Sequence, residues 1–181
     1  MNGESVSCEI RVGSVRFRAS ASAQGITCLE LPDLGENVRR LADLSPQPAK
    51  PGRIPDNPRA AAHLEALGRF LSQLLSGTRP EEVPAVDISD LTPFTRDVLS
   101  AVYRIPWGAV SSYGQVGSLA GHPGAARAVG GAVGRNPVGL VIPCHRVLLS
   151  GGSIGGWSGR PGWKEWLLEL ETGPAADSGG G

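Results

Sequence analysis

The segment 112–133, which reads SYGQVGSLAGHPGAARAVGGAV, predicts two short helices joined by a very short turn. Ser112 and Gln115 fit a capping box, in which the two side chains satisfy backbone amides at the start of a helix. Gly121 is expected to end that helix about two turns later, and His122-Pro123 to open the next one. This spacing is typical of a helix-turn-helix, a motif that places its second helix in a DNA groove.

Two adjacent glycines, Gly130 and Gly131, lie inside the second of these helices. Each costs about 1 kcal/mol relative to alanine in a helix interior, so the absent side chains are expected to let another surface approach closely. One interpretation is helix packing within the protein. The other is contact with DNA, which Arg127 in the first turn favours. A helix with so few long polar side chains suits sequence-tolerant contact with a groove and its backbone.

Further along, the stretch Val141-Ile142-Pro143-Cys144-His145-Arg146-Val147 places a cysteine beside a histidine. The apolar residues 138–142 predict a short buried strand, and Pro143 indicates that this strand ends before the cysteine. A nucleophile with a base beside it is what covalent catalysis requires. On a regular strand the two side chains would point to opposite faces, so the pair by itself does not specify a catalytic site.

These motifs combine with Gly108, Asn136-Pro137, the glycine-rich residues 151–159 and the segment 164–168. In order and spacing, the region from about Phe94 to Glu171 resembles the O6-alkylguanine-DNA alkyltransferase family. The resemblance implies an α/β (α+β) fold with two domains. The first is a small antiparallel sheet with a helix, similar to ribonuclease H, and the second is a winged-helix-like domain that contains the helix-turn-helix. It also implies direct repair of double-stranded DNA containing O6-alkylguanine, with no cofactor.

The resemblance further implies the chemistry of the site. An alkyl group moves from O6 of guanine to the Cys144 thiolate, while His145 takes the thiol proton through a bridging water and Glu171 orients the imidazole. Tyr113 assists the leaving guanine, and Asn136 braces the active-site turn. The base must be flipped out of the duplex to be reached. Nothing in the motif can displace alkyl from sulfur, so each molecule is expected to act once and irreversibly.

The same resemblance assigns the binding residues. The pocket for the flipped base is expected to be lined by Tyr113, Val147, Trp157 and Ser158. Trp157 stands where most members carry tyrosine, which retains stacking and loses a hydroxyl group. The residues expected to contact DNA are Ala126, Arg127, Gly130, Gly131 and Arg135. Among them, Arg127 enters the base stack in place of the flipped nucleotide, and Arg135 is expected to contact a phosphate.

Three other functions share part of this pattern of residues. An alkyltransferase-like lesion-binding protein keeps the fold but replaces the cysteine, so the presence of Cys144 argues against it. A thiol hydrolase uses cysteine and histidine but needs an oxyanion hole and turns over. A DNA-binding regulator would prefer a sequence, which the glycine-rich recognition helix does not favour. A buried, inert thiol is the usual state of a cysteine outside this motif.

Charge is distributed unevenly along the chain, although the formal net charge is zero. Residues 96–160 contain six arginines and one acidic residue, Asp97, whereas residues 1–90 contain ten basic and twelve acidic residues. A modest basic surface predicts few phosphate contacts and a shallow dependence of DNA binding on salt. A merely solvated charged face is the alternative.

The three cysteines have no paired spacing that would indicate a disulfide framework, and no apolar segment follows Met1. We therefore expect an intracellular protein, in the cytoplasm near the nucleoid or in the nucleus of a eukaryote. We also expect it to be a monomer. No run approaches the roughly 20 apolar residues of a membrane span. Some family members bind zinc in the first domain, but Cys8, Cys28 and His63 do not match that pattern, so no metal is expected.

Periodicity predicts the remaining elements. Alternation over residues 8–18 and 26–31 predicts two antiparallel strands, and residues 58–75 predict an amphipathic helix capped by Asn57. Further helices are expected from Thr92 to Ile105 and over residues 161–171. The predicted domains are 1–90 and 91–172, with the boundary near Asp90. The tail 173–181 is expected to be disordered.

Overall fold

The computed structural model describes residues 5–33, 50–51, 57–155 and 162–172. A four-stranded antiparallel sheet with order β3-β2-β1-β4 precedes a group of short helices and a parallel pair of two-residue strands, β5 and β6. The elements are β1 (Val6–Val12), β2 (Val15–Ala21), β3 (Ile26–Glu30), β4 (Lys50–Pro51), α1 (Pro58–Leu75), α2 (Pro93–Tyr103), β5 (Ser111–Ser112), α3 (Tyr113–Leu119), α4 (Ala126–Val133), β6 (Val147–Leu148) and α5 (Trp163–Thr172). This composition confirms the mixed α/β fold class. The likeness to ribonuclease H and the winged-helix character of the second part stay predictions.

The beginning of the chain forms a hairpin, so the prediction of a single strand over residues 8–18 is wrong. β1 pairs with β2 in a register that joins Val12 to Val15. Gly13 adopts a φ of 58°, which glycine reaches without the steric cost that a side chain would add. Val12 and Val15 are three positions apart and both face the core, and the turn lies between them. This spacing keeps the apolar residues of both strands on the core side of the sheet.

Helix α1 covers the sheet as its periodicity predicts. Asn57 caps it, because its side chain accepts a hydrogen bond from the backbone amide of Ala60, and Pro58 occupies the first turn. The predicted apolar face is buried, and the prediction is confirmed for the following residues: Leu64, Leu67, Leu71 and Leu74. The helix therefore forms the second layer of the first half of the molecule.

The two halves of the chain are connected through the edge of β3. The amide of Leu29 donates to the carbonyl of Pro137 over 2.8 Å, directly upstream of the cysteine segment. Next to this strand, a Cβ atom on Gly25 would lie 2.7 Å from the carbonyl oxygen of Ala85, so the two backbones approach more closely than a side chain would allow. A single hydrophobic cluster contains residues from both sides of Asp90. The division into two domains there stays a prediction.

The helix-turn-helix is formed by α3 and α4. Ser112 and Gln115 make both hydrogen bonds of the predicted capping box, which is thereby confirmed. Gly121 follows α3 with a φ of 82°, and α4 starts at Ala126, a few residues after the predicted opening at His122-Pro123. Its exposed face carries Ala126, Arg127 and Gly131.

Residues 138–142 form a tight turn, so the predicted buried strand in this position is wrong. The amide of Ile142 donates to the carbonyl of Val138 over 3.0 Å, and Leu140 adopts a left-handed φ of 69°. The run is apolar because the turn is buried, and burial without alternation does not distinguish a turn from a strand. This turn sets the direction in which the chain enters Cys144.

The predicted last helix is present, with bounds shifted slightly toward the C-terminus, and the predicted tail lies outside the described residues. Among the helices that the structure describes, none combines the length and apolarity needed to cross a membrane. Within the same residues, no group of three or more His, Cys, Asp or Glu side chains is placed to hold a metal ion.

Candidate active site

Cys144 begins a single turn of 3-10 helix, Cys144–Arg146, directly after Pro143. Its side chain is buried, with 4% of the residue exposed, and its amide donates to the carbonyl of Ile142 over 2.8 Å. Since the chain is helical here, adjacent side chains do not point to opposite faces as they would on a strand. The local conformation removes the objection that the sequence raised against a cysteine and a histidine acting together.

His145 is held in one orientation by a buried carboxylate. Its Nε2 atom lies 2.7 Å from Oε1 of Glu171, and both side chains are 1% exposed. Burial lowers the pKa of His145, and this outweighs the opposing hydrogen bond and charge of Glu171. The ring is therefore neutral near pH 7, with the proton on Nε2 facing the carboxylate.

The other ring nitrogen of His145 is the basic one. Nδ1 is buried and makes no hydrogen bond to a described group. A buried polar atom without a partner is rare in folded proteins and is often functional. In the tautomer that Glu171 imposes, Nδ1 carries a lone pair and can accept a proton.

Glu171 receives hydrogen bonds from four donors. These are Nε2 of His145 at 2.7 Å, Nε and Nη2 of Arg146 at 2.8 Å each, and the amide of Gly108 at 3.2 Å. Burial alone would raise the pKa of this carboxyl group, but the hydrogen bonds of His145 and Arg146, together with the charge of the guanidinium group, outweigh it and lower the pKa to about 2. We call these four residues, Gly108, His145, Arg146 and Glu171, the Glu171 cluster.

Arg146 is a member of this cluster that the sequence analysis did not identify as functional. It contacts Glu171 with two nitrogens, donates from Nη1 to the carbonyl of Ile105 over 2.6 Å, and lies 5.7 Å from the centre of the Trp107 ring. It therefore does not belong to the basic surface in which it was counted. Its position next to His145 in the motif was the available signal.

Lys164 is a second residue with no role assigned from the sequence. It is 1% exposed, and its Nζ donates to the carbonyls of Val147 at 2.8 Å and Ile154 at 2.7 Å. Burial lowers its pKa, while a negative charge on Cys144 opposes that shift. The ammonium group thus connects β6 to the segment that follows it, and its positive charge interacts favourably with a negative charge on Cys144.

Asn136 closes the turn that leads into the cysteine. Its Nδ2 donates to the carbonyl of Ile142 over 2.9 Å, and its Oδ1 accepts from the amide of Val138 over 3.0 Å. One side chain thereby satisfies both ends of the turn. This geometry agrees with the bracing role that the resemblance implies.

Tyr113 is the first residue of α3 and is partly buried. Burial raises the pKa of its hydroxyl group, and a charge on Cys144 adds to the increase. The tyrosine therefore keeps its proton near neutral pH and lies within electrostatic range of the cysteine. Of the other predicted pocket residues, Val147 is buried, whereas Trp157 and Ser158 lie outside the described residues.

The glycines of α4 are not explained by packing within the described part of the protein. A Cβ atom on Gly131 would have only the Arg135 guanidinium within 4 Å, at 3.6 Å, and one on Gly130 would meet the Tyr113 ring at 3.8 Å. Both distances are ordinary van der Waals contacts, so alanine would fit at either position. The interpretation of internal helix packing is therefore not supported, and an external surface is the remaining reason for small residues here.

The fold and the site together define a helix-turn-helix protein whose buried cysteine is accompanied by a base and an orienting carboxylate. The model of the family "6-O-methylguanine DNA methyltransferase, DNA binding domain" matches residues 93–173. The methylated-DNA-protein-cysteine methyltransferase of Mycolicibacterium paratuberculosis is 36% identical over 158 residues, covering 87% of this chain and 92% of that relative. The chain therefore belongs to the methylated-DNA-protein-cysteine methyltransferase family.

Other relatives match a shorter part of the chain. The protein of the same name from Salmonella typhimurium is 51% identical over 80 residues, covering 44% of this chain and about half, 47%, of that relative. The crystal structure of Mycobacterium tuberculosis OGT in complex with DNA is similar with a TM-score of 0.67 and 28% identity. That similarity covers 90% of this chain and 92% of the other. The likeness thus extends over both halves of the fold.

The Glu171 cluster predicts how stability depends on pH. The carboxylate contributes stability that is present above its ordinary pKa of 4.5 and is lost as the pH falls toward about 2. Neutral His145 contributes stability that is present above its ordinary pKa of 6.5 and is lost at lower pH. Urea denaturation at pH 7, 5 and 3 should therefore show a continuous loss of unfolding free energy. Glu171→Gln should cost about 3 kcal/mol at pH 7, because Arg146 loses its counter-charge.

In this experiment, the Glu171→Gln variant should lose less stability than the wild type between pH 5 and 3, since the variant lacks the carboxylate whose pKa folding lowers to about 2. Glu165→Gln, which removes an exposed carboxylate from the same helix, is the matched control and should follow the wild type. Equal acid sensitivity of Glu171→Gln and the wild type in that range would show that the cluster does not contribute as described.

Proposed function

We propose that the protein repairs O6-alkylguanine in double-stranded DNA by moving the alkyl group to the sulfur of Cys144. The observation that carries this proposal is the buried cysteine next to an imidazole whose basic nitrogen has no other described partner. Family membership supports alkyl transfer to a cysteine, and the DNA complex of the M. tuberculosis relative supports DNA as the partner.

The reaction starts with formation of the nucleophile. The thiol proton of Cys144 passes through a water molecule to Nδ1 of His145, which becomes an imidazolium ion beside ionised Glu171. The pKa of Glu171, lowered to about 2, keeps the carboxylate charged throughout, so it stabilises the positive ring. The charge of the Lys164 ammonium also favours the thiolate.

Transfer is an in-line displacement at carbon. The thiolate forms a carbon–sulfur bond as the bond between the alkyl carbon and O6 of guanine breaks, and the electron pair of that bond passes to the guanine. The Tyr113 hydroxyl, whose raised pKa keeps it protonated, donates a hydrogen bond or its proton to the base as this charge develops. The thioether that results has no leaving route, so one protein molecule repairs one base.

The base must leave the duplex to reach a buried sulfur. Helix α4 presents Ala126, Arg127, Gly130 and Gly131 to the DNA, where Arg127 fills the space of the flipped nucleotide and Arg135 contacts a phosphate. We assign Val147, Trp157 and Ser158 to the pocket for the base, as the family resemblance implies. We further infer that the protein acts as a monomer, in the cytoplasm near the nucleoid, or in the nucleus of a eukaryote.

Intact-protein mass spectrometry after incubation with an O6-methylguanine duplex tests the proposed function. The wild type should gain one methyl group per molecule while the DNA regains unmodified guanine. Cys144→Ala should gain none, and Cys28→Ala, which removes a partly buried thiol from β3, should react like the wild type. Tight binding of the lesion without any gain in mass would indicate a lesion-binding protein. Restoration of more than one guanine in the DNA per protein molecule would contradict single use.

Replacing Gly131 separates folding from DNA binding. Gly131→Ala should raise the free energy of unfolding by up to about 1 kcal/mol, because alanine is the better helix former and its methyl group meets no obstacle within the described residues. The same methyl group should weaken binding to DNA severalfold by holding the helix away from the groove. Chemical denaturation and fluorescence anisotropy measure the two effects.

The control for this variant is Ser100→Ala, a substitution to alanine at an exposed position of α2, outside the helix-turn-helix. It should leave DNA affinity unchanged. Unchanged DNA affinity in Gly131→Ala as well would refute the idea that α4 approaches DNA through its glycines.

A further inference from the structure

A cavity of about 360 Å³ lies against the Glu171 cluster. We call it the back cavity. It is bounded by helix α1, by the segment 79–83 and by the end of α2 with the residues that follow. Pro143, Arg146 and Glu171 belong to its wall, whereas Cys144 and Tyr113 do not. The back cavity is therefore distinct from the pocket proposed for the flipped base, although the two share the residues of one hydrogen-bond network.

The walls of the back cavity are suited to an aromatic group. Three aromatic residues, Phe70, Tyr103 and Trp107, belong to the lining, and so do the apolar residues Leu74 and Val83. Tyr103 and Val83 are 39% and 46% exposed, so apolar surface faces solvent at this place. A volume of this size matches the lower end of the range for small-molecule sites and would accommodate two or three aromatic rings.

The charges around the back cavity favour an anion. Arg79 and Arg104 both belong to the lining, and neither guanidinium group makes a hydrogen bond or an ion pair with a described residue. Glu81 offsets one of these charges, while Arg146 and Glu171 neutralise each other within the wall. One positive charge thus remains unbalanced beside an aromatic surface. Arginine next to aromatic rings is a suitable recognition element for carboxylates and sulfonates.

We propose that the back cavity binds organic anions with an aromatic body, such as aromatic carboxylates and sulfonates, and that an occupant slows alkyl transfer. Arg146 is the link between cavity and site, because its guanidinium group lies over Trp107 while two of its nitrogens hold Glu171. An anion in the cavity competes with Glu171 for Arg146, and a ring on Trp107 displaces the guanidinium group. Either change loosens the carboxylate that orients His145.

The binding part of this proposal is independent of the proposed function, whereas the kinetic part rests on it. Binding is tested with 1-anilinonaphthalene-8-sulfonate, an aromatic sulfonate that becomes fluorescent in apolar surroundings. N-phenyl-1-naphthylamine has the same rings without the sulfonate and is the charge control. The full chain should bind the sulfonate saturably at one site, and at least about ten times more tightly than the neutral dye.

Variants at the rim locate the site. The double variant Arg79→Ala/Arg104→Ala should lose at least about tenfold in affinity for the sulfonate and keep its affinity for the neutral dye within about twofold. Arg96→Ala removes an exposed arginine from the same helix as Tyr103, outside the lining, and should bind both dyes like the wild type. Equal affinity of the wild type for both dyes, or equal loss in Arg96→Ala, would overturn the proposal.

The kinetic arm measures single-turnover methyl transfer to Cys144 with and without a saturating concentration of the sulfonate. The rate should fall severalfold in the wild type, and the double variant should need at least about ten times more sulfonate for the same decrease. Binding with an unchanged rate in the wild type would overturn the link through Arg146. Absence of methyl transfer without any dye would instead refute the proposed function, and the binding result would stand by itself.

Discussion

The carboxylate of Glu171 is the group on which the rest of the site depends. It lies almost completely buried near the end of α5 and joins three parts of the chain that are far apart in sequence, at Gly108, at His145-Arg146 and at its own helix. An isolated carboxylate in such a place would be costly, and burial alone would favour its neutral form. The hydrogen bonds of His145 and Arg146 and the charge of the guanidinium group reverse this balance, lower the pKa of the carboxyl group and keep it ionised.

Glu171 affects Cys144 by fixing which nitrogen of His145 carries the proton. Because Glu171 accepts from Nε2, the neutral ring of His145 must present a lone pair at Nδ1. If Nε2 faced a hydrogen-bond donor instead, the proton of the neutral ring would lie on Nδ1. His145 would then be in the same place but could not act as a base at that atom. The reactivity of the cysteine is therefore set by a group that the cysteine does not need to touch. Arg146 acts less directly on the cysteine, because it holds the Glu171 carboxylate, which in turn orients the imidazole.

The position of the sulfur is set by a different set of contacts. Asn136 closes the turn that leads to Pro143, and the carbonyl of the neighbouring Pro137 accepts a hydrogen bond from Leu29 in β3. Behind the site, the buried ammonium group of Lys164 holds two backbone carbonyls on either side of the next loop. The first half of the chain therefore supports the cysteine segment through its sheet edge, although it contributes none of the proposed catalytic side chains.

Local signals in the sequence were sufficient for the helices. The capping residues Asn57 and Ser112 were predictable because a cap depends on neighbours a few positions away. The hairpin of β1 and β2 was missed although Gly13 and the step of three residues from Val12 to Val15 marked the turn. The apolar run 138–142 was predicted to be a strand, but its composition indicates only that the segment is buried. A buried turn has the same composition.

The charged residues of the site were harder to predict. The sequence around Arg146 and around Lys164 does not predict their contacts. Each side chain packs against oxygen atoms from distant segments. The burial of a charged side chain depends on which partners the fold brings to it, and those partners lie 10 to 41 positions away in the chain. Glu171 was identified only through the family resemblance, for the same reason.

The protonation state of His145 tests the central claim most directly. Long-range proton–nitrogen NMR correlation distinguishes the two neutral tautomers and the imidazolium ion by the chemical shifts of both ring nitrogens, and a His145→Gln variant assigns the signals. At pH 7 the account predicts a neutral ring with its proton on Nε2 and a lone pair on Nδ1. A proton on Nδ1, in either the other neutral tautomer or the imidazolium ion, would contradict it.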